Sequence, residues 1–337
     1  MRLERPHFES VQAYGQQFTD ADYWRPYVEE VCARHRLGGC HAIRAGLPGT
    51  FPVFVVDRRY VVKLFGELFD GGTCFQVELE MYELLRSDPA IPAPALVVSG
   101  TLFPPDGGWP WPYIVTEVIP GTSLAEVEEQ VSFDDKSAIC GFLGSVARHI
   151  HALQPERAQH LRLSWDAFDG FLSEQRATCV ERHRAWVSLP EHLVRQLPDY
   201  LPSLSELVDH SVLPHVLHCD LNADHVLGDF DGGHWRPNGI IDFGDAMAGD
   251  RIYELVALHI GLFRCDKRLL RVFLDAYGFD EGLRRDFVRR AMSMTLLHEF
   301  DVLSEVFPRF PGAAKVDRLD ELAALLWDPE CPGLPTR

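Results

Sequence analysis

The chain has 337 residues, 46% of them hydrophobic and 24% charged, with a formal net charge of −18 and a pI near 5.2. That composition suits a soluble globular protein large enough for two lobes. The acidic balance works against nucleic acid phosphates and anionic membranes, and suits a cationic small molecule or simple solubility.

The eight cysteines (Cys32, Cys40, Cys74, Cys140, Cys179, Cys219, Cys265 and Cys331) form no C-x-x-C pair. Scattered this way they read as free thiols of a reducing compartment, not as a disulfide framework or a zinc site. The opening MRLERPHFES lacks the apolar core of a secretory signal. No run of about 18 apolar residues is present to span a membrane. A cytoplasmic protein is the expectation.

In chain order, residues 22–37 read as a helix, with Tyr27, Val28, Val31 and Cys32 on one face and Gly38-Gly39 as its stop. PVFVV (52–56) and YVVKLF (60–65) read as a hairpin turning at Asp57-Arg58-Arg59. QVELEMYELLR (76–86) reads as a helix, and IPAPALVVSG (91–100) and WPYIVTEVI (111–119) as strands. Ser132, with Asp135 three residues on, predicts the N-cap of a helix through KSAICGFLGSVARHIHALQ. The remainder is mostly helical apart from HVLHCDL, HVLGDF and GIIDFG. A β-rich N-terminal lobe with one main helix, residues 1–118 with a helical extension in front, would thus precede a helical lobe, residues 119–337.

Several residues stand out chemically. Lys63 lies in an apolar strand. Alone it is as well a lysine snorkelling to water, but a helix carrying Glu78 and Glu80 follows, and a strand lysine paired to a helix glutamate can hold nucleotide phosphates. GLPGTFPVF (46–54) could cover phosphates with backbone amides around Gly49 and Thr50, or be an ordinary turn. It is not a Walker A loop, since no G-K-[ST] follows. HCDLNADHVL (218–227) places Asp220 just past an apolar run, where a carboxylate can accept a hydroxyl proton. Asp242 in IIDFGDA matches a metal-holding D-F-G aspartate. A metal hydrolase built on His218, Asp220, Asp224 and His225 is the competing reading, but it leaves Lys63 and the D-F-G stretch without a role.

These stretches, together with WPWPYIV, AGDRIYEL, LLHEFDV and LLWDP, give the chain a resemblance to aminoglycoside and related antibiotic phosphotransferases over nearly its whole length. Among them it looks most like the hygromycin-B O-kinases. The resemblance implies an α+β, bilobal protein-kinase-like fold and Mg²⁺-dependent use of ATP or GTP. It implies that Lys63 holds phosphates, that Glu80 orients it with Glu78 as the fallback, and that Glu117 and Ile119 form the adenine hinge. It makes Asp220 the catalytic aspartate, Asp242 and His225 the Mg²⁺ side, and His218 and Asp250 structural braces.

Two positions depart from the family pattern. His225 stands where an asparagine metal ligand is usual, and Cys219 where glycine is usual. Acidic residues of the helical lobe, namely Asp166, Glu181, Glu299 and Asp301, are candidates for the ammonium groups of a cationic aminoglycoside, though each is also an ordinary solvated charge. The expected reaction is in-line transfer of the γ-phosphoryl to a substrate hydroxyl by a monomer or homodimer. A kinase of another small hydroxyl metabolite and a nucleotide-binding scaffold without turnover are the alternatives.

Overall fold

The computed structural model describes residues 3–330; Cys331 lies outside them. The chain forms two compact units. Unit 1 is Met1–Gly121 together with Gly239–Asp245, and unit 2 is Thr122–Asn238 with Ala246–Arg337. The kinase-like expectation holds: an antiparallel sheet with a helix comes first, and a helical part follows.

Unit 1 carries five strands, β1 (Ile43–Ala45), β2 (Val53–Val56), β3 (Tyr60–Leu64), β4 (Leu96–Thr101) and β5 (Pro112–Glu117). They lie in the order β1-β2-β3-β5-β4, every pair antiparallel. The β2–β3 turn has Asp57 and Arg58 in left-handed backbone, at φ 50° and 56°. Left-handed residues in a hairpin turn match the right-handed twist of its strands.

Side chains alternate across a strand. Tyr60, Val62 and Leu64 join the core made with Trp24, Val28, Val31, Phe54, Trp111 and Tyr113, and Lys63 therefore points to the other face. Two helices precede the sheet, α1 (Val11–Gln17) and α2 (Ala21–His35). Asp20 caps α2 by accepting the amides of Asp22 and Tyr23. No pattern in the sequence had marked α1, because Tyr14 is its one buried residue. Helix α3 (Gly71–Leu85) starts five residues before the expected 76.

The metal-motif stretch was expected in the second lobe but belongs to unit 1. There the Ile240 amide donates 2.9 Å to the Pro92 carbonyl. The first boundary falls at Gly121 instead of 118.

In unit 2, Ser132 accepts the Asp135 amide at 3.1 Å and starts α4 (Phe133–His151). A Cβ on Gly144 would lie 2.4 Å from the Phe273 carbonyl, so only glycine allows α4 to approach α7 (Lys267–Tyr277) this closely. Helix α5 (Trp165–Trp186), α6 (Arg251–Val256), α8 (Phe287–Leu296) and α9 (Leu319–Trp327) complete the main helices. Short strands frame the HCDLNADHVL loop: β7 (His215–Leu217) pairs with β10 (Met247–Gly249), while β8 (Val226–Asp231) lies between β6 (Thr122–Ser123) and β9 (His234–Ile240). No helix among the described residues is long and apolar enough to cross a membrane.

Candidate active site

Unit 1 assembles a three-membered charge cluster. The Lys63 ammonium stands 2.7 Å from Glu78 Oε2 and 2.7 Å from Asp242 Oδ1. Burial opposes the lysine charge, but the Asp242 and Glu78 carboxylates outweigh it and hold the ammonium above its usual pKa. Burial pushes the Glu78 carboxyl upward, with Lys63 acting against that shift. Tyr82 donates to the other Glu78 oxygen at 3.3 Å.

Glu78 therefore holds the ion pair that was assigned to Glu80. The reason is helical rotation at about 100° per residue. Phe75, Val77, Met81, Tyr82 and Leu85 are buried on α3, and Glu78 falls inside that arc while Glu80 falls outside it. The aromatic pair Phe75 and Tyr82 was the available signal, since it shifts the apolar face toward Glu78.

Around this cluster, Lys63 lies 5.8 Å from the ring centre of Phe51 and 5.3 Å from that of Phe65. Gly49 is exposed, and a Cβ there would touch nothing. The glycine that the loop requires is Gly46, where a Cβ would sit 2.7 Å from Val53. The Thr50 carbonyl accepts the Tyr14 hydroxyl at 2.8 Å. At the connector, the Glu117 amide donates to Ala95 and the Val118 amide to Arg59, both at 2.9 Å, so the chain leaves the sheet at Ile119.

Unit 2 builds the loop around Asp220. Asn222 Nδ2 donates 2.8 Å to Asp220 Oδ1, a pairing that no motif in the sequence marks. His218 is fully buried, and its Nδ1 accepts the Asp220 amide at 3.3 Å. Glu254 Oε2 accepts the amides of His218 and Cys219 at 2.8 and 3.1 Å. Burial works against the Glu254 carboxylate, yet His151 and these amides hold its pKa below the ordinary value. Cys219 has φ 68°, a left-handed conformation that accounts for the glycine usual at this position.

His225 Nδ1 lies 2.6 Å from the Asp220 carbonyl. A carbonyl only accepts, so Nδ1 carries a proton, and a neutral ring would then have its lone pair on Nε2. That is the arrangement of a ligating imidazole steadied by a backbone carbonyl. Lys63 engages one Asp242 oxygen, and the carboxylate side chain is 36% exposed. A carboxylate suits Mg²⁺, which keeps waters and phosphate oxygens as its other ligands. Among the described residues no group of three or more His, Cys, Asp or Glu could hold a metal, so His218, Asp220, Asp224 and His225 do not form a hydrolase ligand set.

Asp250 caps α6 through the Ile252 amide at 2.8 Å and takes the buried Arg290 guanidinium at 2.8 Å. Of the acidic candidates for substrate, Glu299 and Asp301 lie in one turn tied to the end of α5. Arg182 donates to the His298 and Glu299 carbonyls, and the Ser188 hydroxyl bonds Asp301. Glu181 is exposed beside Arg182. Asp166 lies at the far end of α5, in the first turn after the Ser164 cap, and accepts the Ser164 hydroxyl at 2.6 Å. It lies 15 residues from Glu181, roughly 22 Å along the helix, and so does not join the other three.

Comparison with known proteins adds a family. The model described as the phosphotransferase enzyme family matches residues 51–288. Aminoglycoside 2'-phosphotransferase-IIIa, solved as its GDP complex, superposes with a TM-score of 0.63 at 18% identity, over 89% of this chain and 97% of that one. APH(3'')-Id from Streptomyces rimosus, solved with ADP and streptomycin, gives 0.55 at 19% identity over 83% and 98%. A protein named lysine-specific demethylase JMJ21, from Arabidopsis thaliana, is 24% identical over 91% of this chain. This chain spans 45% of its length.

Proposed function

The chain belongs to the phosphotransferase enzyme family, and on that premise we propose that it moves the γ-phosphoryl of ATP or GTP to a hydroxyl of a cationic aminoglycoside, with hygromycin B the first acceptor to test. The observation that carries the reading is the Lys63 ammonium held between Glu78 and Asp242 at 2.7 Å each. A buried cation fixed by two carboxylates is ready to meet phosphate oxygens without reorganising. Solved relatives bound to GDP, ADP and ATP support the nucleotide. Relatives bound to kanamycin and streptomycin, together with the net charge of −18, support the cationic acceptor.

The roles divide by chemistry. Lys63 neutralises phosphate charge, and Glu78 keeps it in place. The Gly46–Phe51 loop and the connector at Glu117 and Ile119 handle the rest of the nucleotide. Asp220, with one oxygen held by Asn222, orients the acceptor hydroxyl and takes its proton as the oxygen attacks phosphorus and the nucleoside diphosphate departs. Asp242 and His225 would hold Mg²⁺, which when bound offsets charge on the phosphates. Glu181, Glu299 and Asp301 are the acidic residues proposed for substrate ammonium groups.

The test is to incubate the full chain with Mg²⁺-ATP and a panel of aminoglycosides that includes hygromycin B, and to look by mass spectrometry for one added phosphoryl group. A product gives the acceptor, and its fragmentation gives the hydroxyl. No product, with ATP bound, removes the antibiotic from the reading and leaves another hydroxyl metabolite.

A further inference from the structure

The family match begins at residue 51, so the two N-terminal helices lie ahead of it. Residues 4–17 are tied to the rest of unit 1 by side chains that donate to backbone carbonyls. Trp111 donates to Pro6 at 2.9 Å, Tyr27 to Glu4 at 3.0 Å and Trp24 to Gln17 at 2.9 Å. These bonds fix the path of the chain. The fourth bond reaches the site. Tyr14, on α1, donates its hydroxyl at 2.8 Å to the carbonyl of Thr50.

The Tyr14 ring is 4% exposed. Phe8, Phe18 and Phe69 pack around it with ring centres 5.3, 6.1 and 6.1 Å away. Burial raises the phenol pKa and the Lys63 charge lowers it, which puts the hydroxyl within the field of that ammonium. The next loop residue, Phe51, packs on Phe65 with ring centres 5.1 Å apart, and its ring centre lies 5.8 Å from the Lys63 ammonium. The loop is thus fixed at two successive residues, Thr50 by α1 and Phe51 beside the lysine, while Pro48 and Gly49 remain exposed.

We propose that α1 is a positioning element for the nucleotide, with the Tyr14 hydroxyl holding the Gly46–Phe51 loop in the shape that receives phosphate. The proposal rests on the reading of Lys63 as the phosphate-binding lysine. An unheld loop must be ordered when the ligand arrives, and each residue ordered costs free energy that weakens binding. A bond already made at Thr50 removes part of that cost. Tyr14 itself is a positioning residue and touches no reacting atom.

The test uses the full chain with Tyr14→Phe, which keeps the ring contacts and deletes only the hydroxyl. ATP affinity, KM for ATP against kcat, melting temperature and amide exchange of residues 47–51 are measured, with Lys63→Ala alongside. The expected result is a rise of about five- to tenfold in both the ATP dissociation constant and KM, as loss of one partly buried hydrogen bond gives. With it come a kcat within about twofold, faster exchange in the loop and a melting temperature within about 2 °C of the parent's. Unchanged ATP affinity in Tyr14→Phe, with affinity lost in Lys63→Ala, overturns the proposal and leaves the nucleotide reading standing. Unchanged affinity in both variants overturns the nucleotide reading with it. A lower melting temperature with activity lost in proportion makes Tyr14 purely structural and also overturns the proposal.

Discussion

Lys63 and Asp242 are 179 residues apart in sequence, yet their charged atoms meet at 2.7 Å. Glu78 completes the cluster from α3. Two carboxylates around one ammonium leave a net negative charge, so a phosphate arriving alone would be repelled. A divalent cation on Asp242, as proposed above, would reverse that balance.

The pairing makes Glu78 and Glu80 separable. Glu78→Gln should lower kcat/KM for ATP about 10- to 100-fold, since the lysine loses the partner that aims it. Stability should fall by about 1–3 kcal/mol, less than for a wholly orphaned buried ion because Asp242 remains. Glu80→Gln should stay within about twofold of the parent in both. Steady-state kinetics and urea unfolding of the two variants decide it. If Glu80→Gln were the damaged one, the helix would present the other face to Lys63.

Asp220 and Asn222 make a second pair. Asp220→Asn should cut kcat by about 10²- to 10⁴-fold while ATP affinity holds, because in the proposed reaction the lost group serves the acceptor hydroxyl and not the nucleotide. Asn222→Ala keeps the base but frees its Oδ1, and a loss near tenfold is expected from misorientation alone. Single-turnover rates measured at saturating ATP separate the two effects. Equal losses in both variants would mean that Asn222 does more than orient.

Much of this was legible in the chain. Alternation in YVVKLF placed Lys63 on a strand, the Asp57-Arg58-Arg59 turn gave the hairpin, and Ser132 with Asp135 gave the start of α4. What failed was rotation and distance. A helix carrying glutamates at 78 and 80 presents one or the other depending on which apolar arc packs, and only Phe75 and Tyr82 hinted at the answer. Asp166 and Glu181 are both acidic candidates by charge alone, but one long helix holds them apart. The Tyr14–Thr50 bond joins a helix with no sequence signature to a loop, and a contact of that kind has no periodicity to reveal it.

Cys219 offers a test of backbone strain. Its φ of 68° costs a residue with a Cβ about 1 kcal/mol, and its amide is fixed by Glu254, so the loop cannot relax away. Cys219→Gly should raise stability by up to about 0.5 kcal/mol, most of the relief of strain being offset by the greater freedom of glycine in the unfolded chain. Turnover should be unchanged within about twofold. Urea unfolding and kcat on the same preparation measure both. A loss of stability would show that the Cys219 side chain packs usefully enough to outweigh the strain.

His259 sets an acid limit on unit 2. It is fully buried against Trp327, ring centres 4.6 Å apart, and its Nε2 proton goes to the Leu326 carbonyl at 2.8 Å. Burial, the main cause, pushes its pKa from 6.5 down to about 4. The folded pKa lies below the unfolded one, so the unfolded chain binds the extra proton first as pH falls. Its contribution is therefore complete above about pH 6.5 and is lost progressively between 6.5 and 4. At 1.36 kcal/mol per pH unit the loss amounts to about 3 kcal/mol. His259→Gln retains an amide that can reach Leu326 and has nothing to titrate. Carboxylates elsewhere titrate in both proteins and cancel in the difference, so the unfolding free energy of the parent minus that of the variant should fall by about 2.5 kcal/mol from pH 7 to pH 4.5. A difference that stays constant across this range would mean that the buried ring is already protonated when folded, or that the unfolded ring does not titrate normally.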